Sequence, residues 1–283
     1  MSAPRALVPR DLGEALESLA AGDPGLRIVA GGTDVMVEVQ AGSFRGSTLL
    51  DIWRLRELRG IRREGDLLSI GALETYTDLQ QDPLVRAHLP SLVEASATIG
   101  GVQIQNRGTL GGNLANASPA GDALPVLLAL DAEVECASRG GTRRVPVRDF
   151  FLGYRKTALA ADEILTRILV PVPAGERLWF RKVGTRAAQA ISKVVIAGAL
   201  RLEEGRIAAA RIAAGSVAPV PIRLPRTERV LAGRRLDPSL AEEAAASAAS
   251  EVRPIDDVRS TEAYRRAVTG NLLRRWLLDL LAA

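Results

Sequence analysis

Apolar residues recur at helical spacing from Asp11 to Ala21 (Leu12, Ala15, Leu16, Leu19), and this pattern predicts a helix. A short apolar run, Leu26 to Ala30, then reads as a strand that stops at Gly31-Gly32. Leu49–Trp53 and Leu67–Gly71 read as further strands, and a helix is predicted over Glu74–Gln80, capped by Glu74 or Thr75. Helices are also predicted over Pro90–Thr98 and Ala123–Leu130, followed by a strand over Glu133–Ser138. Between those two helices, Ile99 to Gly121 has little hydrophobic period and is rich in Gly, Asn and Ser, which predicts a long functional loop. Composition shifts at Val170-Pro-Val-Pro-Ala-Gly175, a domain boundary. Beyond it, Val194–Leu202 and Arg206–Ala213 form an expected antiparallel pair turning at Glu203–Arg206. The tail reads as two helices, Leu240–Glu251 and Ser260–Leu281, the second with a stripe of Ala263, Ala267, Leu273, Trp276, Leu277 and Leu280.

With 283 residues, 47% of them hydrophobic, the chain has material for more than one buried core, which excludes a disordered tail or a small stapled scaffold. Of its 37 basic residues only three are lysines (Lys156, Lys182, Lys193), so the basic balance is arginine chemistry. A net charge of +4 is too dilute for a nucleic-acid footprint. The densest basic stretch, Arg54 to Arg63, is broken by Glu57 and reads as a solvated face or a subunit contact.

One cysteine, Cys136, and one histidine, His88, cannot assemble a Cys/His zinc site or an iron-sulfur cluster. His88 reads as a cation closing a short helix, and Cys136 as a buried strand residue in a reducing compartment. The N-terminal residues lack an apolar leader core, and no apolar run approaches a membrane span; a cytoplasmic, soluble protein is expected.

Two glycine clusters carry legible chemistry. Ile28-Val-Ala-Gly-Gly-Thr-Asp-Val35 ends a strand with two residues lacking Cβ and opens a helix, either as a plain turn or as a place where backbone N–H groups approach a phosphate. Asn106 to Asp122 packs Gly108, Gly111, Gly112 and Gly121 with Thr109, Asn113, Asn116, Ser118 and Asp122. That suits a backbone wrapped round a polyhydroxylated, phosphorylated ligand, or an ordered loop of Asx turns. Neither cluster is a G-x-G-x-x-G, and no G-x-x-x-x-G-K-[ST] occurs, so Rossmann and P-loop mechanisms find no support.

Five motifs in order, Ala30-Gly-Gly-Thr-Asp34, Gly108-Thr-Leu-Gly-Gly-Asn113, Asp122, Gly153-Tyr-Arg-Lys-Thr157 and Lys182-Val-Gly-Thr-Arg186, resemble the FAD-binding medium subunit of molybdenum hydroxylases. That is the family of carbon monoxide dehydrogenase and bacterial xanthine dehydrogenase flavoproteins, and the likeness runs from near the N-terminus to the last helix. It implies an α+β fold: a vanillyl-alcohol-oxidase-type FAD-binding domain of two α/β subdomains (1–57 and 58–175), then a C-terminal domain with a small antiparallel sheet and helices (176–283).

The resemblance further implies that Ala30, Gly31, Gly32, Thr33 and Asp34 form a first pyrophosphate turn. Thr109, Gly111, Gly112 and Asn113 would form a second, with Asn116 beside them, and the phosphates would be held by backbone N–H groups. Asp122 matches a carboxylate at the nucleotide end, where it could equally cap the helix from Ala123. Ile99 and Gly100 match the segment on the isoalloxazine, Ile99 standing where some relatives have an aromatic. Leu165 matches an apolar flavin contact, and Lys182 a lysine close to the flavin ring.

The implied activity is that of an oxidoreductase subunit carrying non-covalent FAD, with no catalytic acid, base or nucleophile and no metal of its own. Electrons would come from the [2Fe-2S] clusters of a small partner subunit, with molybdopterin on a large one, and pass to NAD or another acceptor. A stand-alone FAD oxidoreductase and a cofactor-free scaffold are the alternatives.

Overall fold

The computed structural model describes residues 4–186 and 189–282. Met1 and Ala283, the outer ends of the first and last expected domains, lie outside them. The helical spacing after Asp11 becomes a helix over Leu12–Ala20, started by the Asp11 carboxylate, which accepts the Glu14 N–H at 2.9 Å. Its buried face (Ala15, Leu16, Leu19) covers a three-stranded sheet in the order Arg5–Leu7, Thr48–Asp51, Leu26–Val29, all parallel. Crossovers between parallel strands place helices beside the sheet. The second crossover here contains the helix Thr33–Gln40, which buries no residue and carries Met36 and Val37 in the open.

A five-stranded antiparallel sheet follows, in the order Ile61–Glu64, Leu67–Gly71, Ile164–Pro171, Glu133–Ser138, Gly141–Pro146. Its central strand, Ile164–Pro171, is buried almost throughout and reads as a continuous apolar run, so alternation does not reveal it in the sequence. Helices Tyr76–Gln81, Pro83–His88, Pro90–Ala97 and Leu124–Ala129 pack over this sheet. Thr75, not Glu74, caps the first of them, in a reciprocal box with Asp78. His88 closes the second as its last residue, and Cys136 is fully buried as a free thiol.

The last sheet is four-stranded and antiparallel: Arg177–Val183, Val194–Glu203, Arg206–Gly215, Ile222–Arg223. Successive residues of its second strand serve different cores. Val195 and Ala197 face the core of the preceding sheet, whereas Val194, Ile196 and Leu200 pack under helices Pro238–Glu251 and Glu262–Ala282. Trp179 and Trp276 stack in this second core, centroids 5.0 Å apart. Among the described residues no helix is long and apolar enough to cross a membrane.

Two expectations change. Ile99–Gly121 is not a loop: it holds the helix Val102–Gln105, too short at four residues for a 3.6-residue repeat to show, and the helix Leu110–Asn116, whose Gly and Asn residues hide one. The last helix turns differently at its start. Ala263 and Ala267 are exposed, while Arg265, Thr269 and Gly270 face inward. Arg265 is buried because its guanidinium meets the Lys193 and Ser216 carbonyls, each at 2.8 Å, and Asp257 Oδ1 at 2.8 Å.

Candidate functional site

The parallel strand Leu26–Val29 runs out at Ala30, and the helix Thr33–Gln40 begins two residues later. Gly32, at φ 78°, occupies its N-cap position and brings no capping side chain. The N–H groups of Thr33, Asp34 and Val35, which have no partner inside a helix, therefore open on the cleft that these residues line. They sit at the positive end of the helix dipole. Gly31 serves a different need: a Cβ there would fall 1.7 Å from the Arg107 carbonyl oxygen. Its lack of a side chain lets the first glycine segment touch the second. Arg107 reinforces the junction, Nε donating to the Gly31 carbonyl at 3.4 Å and the guanidinium lying 3.8 Å over the Trp53 ring.

The opposite wall is the helix Leu110–Asn116. Thr109 caps it, Oγ1 accepting the Gly112 N–H at 3.0 Å. The Leu110 and Gly111 N–H groups donate to the Glu74 and Ala72 carbonyls at 3.0 and 2.9 Å, and Asn113 N–H to the Thr109 carbonyl at 3.0 Å. The amides from Leu110 to Asn113 are thus all used within the protein. The first glycine segment thus offers free amides at its helix start, while the second brings small surfaces and the side chains of Asn113 and Asn116. Gly111 is required by close approach, since a Cβ would lie 2.6 Å from the Ala72 oxygen.

Side chains tie the two walls together. Asn116 Nδ2 donates to Asp34 Oδ1 at 2.9 Å, and Arg155 Nη1, from the hairpin that carries Gly153–Thr157, donates to Asn116 Oδ1 at 2.8 Å. Burial pushes the Asp34 carboxyl above the ordinary aspartate range, and Arg155 pulls it back only in part. Leu165, almost enclosed where the central strand bulges before Arg167, supplies apolar floor.

Ala30 to Asp34, Thr109, Gly111, Gly112, Asn113, Asn116 and Leu165 thus share one cleft. Ile99, Gly100, Asp122 and Lys182 form a second group that does not wall it. Lys182 Nζ, on the Arg177–Val183 strand, lies 2.6 Å from Asp122 Oδ2 and donates to the Thr98 carbonyl at 2.9 Å, one residue before Ile99. Burial drives the Asp122 carboxyl upward and Lys182 opposes this. Asp122 does not cap the following helix, whose N-cap is Ala123 with no side-chain bond. Asn113 connects the groups: a Cβ on Gly121, next to Asp122, would sit 3.1 Å from its Nδ2. Asn113 Oδ1 and Asp122 Oδ1 are both buried polar oxygens without a protein partner among the described residues.

Tyr76 was not visible as a site residue in the sequence. A lone aromatic at a helix start reads as core, yet here it lines the cleft between the walls. The Asp34–Asn116–Arg155 chain and the Lys182–Asp122 pair join residues far apart in the chain, and no local pattern announces either.

Residues 3–173 match the family described as FAD binding domain in molybdopterin dehydrogenase, and residues 179–280 match the CO dehydrogenase flavoprotein C-terminal domain. The chain is 33% identical over 269 residues to the putative xanthine dehydrogenase FAD-binding subunit of Escherichia coli, covering 94% of this chain and 92% of that protein. It is 32% identical over 274 residues to the carbon monoxide dehydrogenase medium chain of Hydrogenophaga pseudoflava, covering 95% and 94%. Among solved structures, carbon monoxide dehydrogenase from the same organism superposes with a TM-score of 0.93 at 32% identity, covering 97% of this chain and 96% of that one.

Proposed function

Since the chain belongs to the FAD-binding medium subunits of the molybdenum hydroxylases, we propose that it works as the electron relay of such an oxidoreductase. In this reading electrons arrive from [2Fe-2S] clusters on a small partner subunit and leave to NAD or another acceptor. A large molybdopterin subunit oxidises the substrate, and the complex is cytoplasmic. One cysteine and one histidine leave the cluster ligands to other chains. We read 1–57 and 58–175 as the two halves that grip FAD and 176–283 as the C-terminal domain.

The observation that carries the reading is the uncapped helix start at Gly32, opening on a cleft whose far wall is the second glycine segment. The residues present fit the cofactor. Free amides at Thr33 to Val35 suit a pyrophosphate, and a cradle without Cβ atoms at Gly32 and Gly112 leaves room for it. The orphaned oxygens of Asn113 and Asp122 suit hydroxyl or ring N–H donors. Leu165 suits an apolar ring. Because Lys182 and Asp122 are one pair, and Lys182 also holds the carbonyl beside Ile99, we assign both, with Ile99 and Gly100, to the flavin-ring end. The Lys182 charge is thereby largely offset by Asp122. When bound, FAD supplies the redox chemistry; the chain orients it, sets the field around it and limits its access to water.

The test is the visible spectrum of the purified chain, with heat release and chromatography of any yellow ligand. About one non-covalent FAD per chain is expected. A chain that stays colourless after incubation with FAD would leave it a scaffold. Co-purification of an iron-sulfur and a molybdenum chain with the natively expressed protein checks the partners, and a monomer from that source would overturn the relay.

A further inference from the structure

Tyr76 begins the helix Tyr76–Gln81 on the wall between the two glycine segments. Its N–H donates to the Gly108 carbonyl at 3.2 Å, and its ring lies so close to Gly108 that a Cβ there would fall 2.9 Å from the ring edge. Packing alone would accept phenylalanine here. The hydroxyl is what packing leaves unexplained: the residue is only 3% exposed, and no hydrogen bond among the described residues uses the phenol oxygen. The oxygen is also not among the wholly enclosed polar atoms that lack a partner. The small exposed remnant belongs to a residue that lines the cleft. A buried polar group without a partner is unfavourable unless something supplies one.

Resting on the FAD reading above, we propose that Tyr76 is a further cofactor-binding residue, its phenol donating a hydrogen bond to an oxygen of FAD where the dinucleotide passes between the two glycine segments. The surroundings fix the direction of that bond. Burial, and then the carboxylates of Asp34 and Asp122, push the phenol well above its ordinary titration, so it stays protonated. A neutral phenol beside two carboxylates suits an oxygen-rich, anionic ligand stretch that the nearby acids cannot themselves bond. It also complements the amides at Thr33 to Val35, which approach from the opposite glycine segment.

The test compares the full chain with Tyr76→Phe, both stripped of flavin, by FAD titration read through flavin fluorescence and by thermal unfolding without FAD. The expected result is a Kd raised about tenfold or more, as for loss of a hydrogen bond to a charged group. The apo unfolding temperature should be unchanged or higher, because the apo hydroxyl has no partner to lose. An unchanged Kd overturns the proposal. So does a weakened Kd accompanied by an equal loss of apo stability, which would make Tyr76 a packing residue. A wild-type chain that takes up no FAD would defeat the parent reading itself, and the proposal with it.

Discussion

Lys182 and Asp122 lie 60 residues apart in the chain and meet at 2.6 Å, their side chains only 9% and 6% exposed. One comes from the C-terminal sheet and the other from the segment before the helix Leu124–Ala129, so the pair bolts the last domain to the FAD-binding part. Taking two charges out of water is expensive, and the pair holds only while both members are present.

Lys182→Met should therefore destabilise the apo chain by about 3 kcal/mol, and Asp122→Asn by a similar amount, since each leaves a buried charge alone. In Lys182→Met the carboxyl, already driven upward by burial, takes a proton at a higher pH still. The double variant should lose clearly less than the sum of the singles in urea unfolding. Strict additivity would show that the pair is not coupled.

The two glycine segments should respond differently to a methyl group. Gly31→Ala would drive Cβ into the Arg107 carbonyl at 1.7 Å, so the junction between the walls must move. A loss of about 1–3 kcal/mol is expected, together with weakened FAD binding. Gly112→Ala meets only Thr109 Oγ1 at 2.8 Å, a side-chain atom, and should cost about 1 kcal/mol through the strained cap. Thermal unfolding of both variants without FAD checks the order; equal losses would mean that close approach is not the role of Gly31.

That contrast also marks what was legible in the sequence. Strand, glycine turn and helix around Ile28–Val35 could be read because an apolar run ends abruptly at two residues lacking Cβ. The helix Leu110–Asn116 was hidden because Gly111 and Gly112 depress helix propensity, and its start is held by tertiary bonds to Ala72 and Glu74 as well as by the Thr109 cap. The strand Ile164–Pro171 was hidden by its own burial, which removes the alternation that marks a half-exposed strand. Arg265 shows the same limit from the other side, since an arginine faces inward only when distant carbonyls come to meet it.

FAD affinity should fall as pH rises through the titration of Asp34. Burial already sets this carboxyl above the ordinary aspartate value, and a phosphate held by its neighbouring amides would raise it again. The complex then binds a proton more tightly than the apo chain, so binding takes up protons and weakens as they become scarce. Asp34→Asn, which can still accept from Asn116, should flatten the profile. Titration of FAD at a series of pH values from acid to neutral reads this directly, and an identical slope in the variant would remove Asp34 as its source.

On the acid side the sensitive point is Glu163. Arg143 grips its carboxylate at 2.6 and 2.7 Å and donates to the Ala158 carbonyl at 2.6 Å, while the Ala160 N–H adds a bond at 2.8 Å. This clamp holds the segment whose Leu159 and Glu163 line the cleft beside Leu165. The Arg143 hydrogen bond keeps the Glu163 carboxyl below the ordinary glutamate range despite its burial. A lowered carboxyl contributes stability that is present above its unfolded value and lost as pH falls through the folded one. Arg143 is 45% exposed, so water screens part of the attraction and the clamp is worth only about 1–2 kcal/mol. Glu163→Gln should lose that amount at pH 7 and release FAD faster, yet match the wild type once pH has dropped below the folded titration. Unfolding free energies and flavin release rates at pH 7 and in acid decide it: a deficit that persists unchanged in acid would mean that the amide disturbs packing and that the charge of Glu163 plays no part.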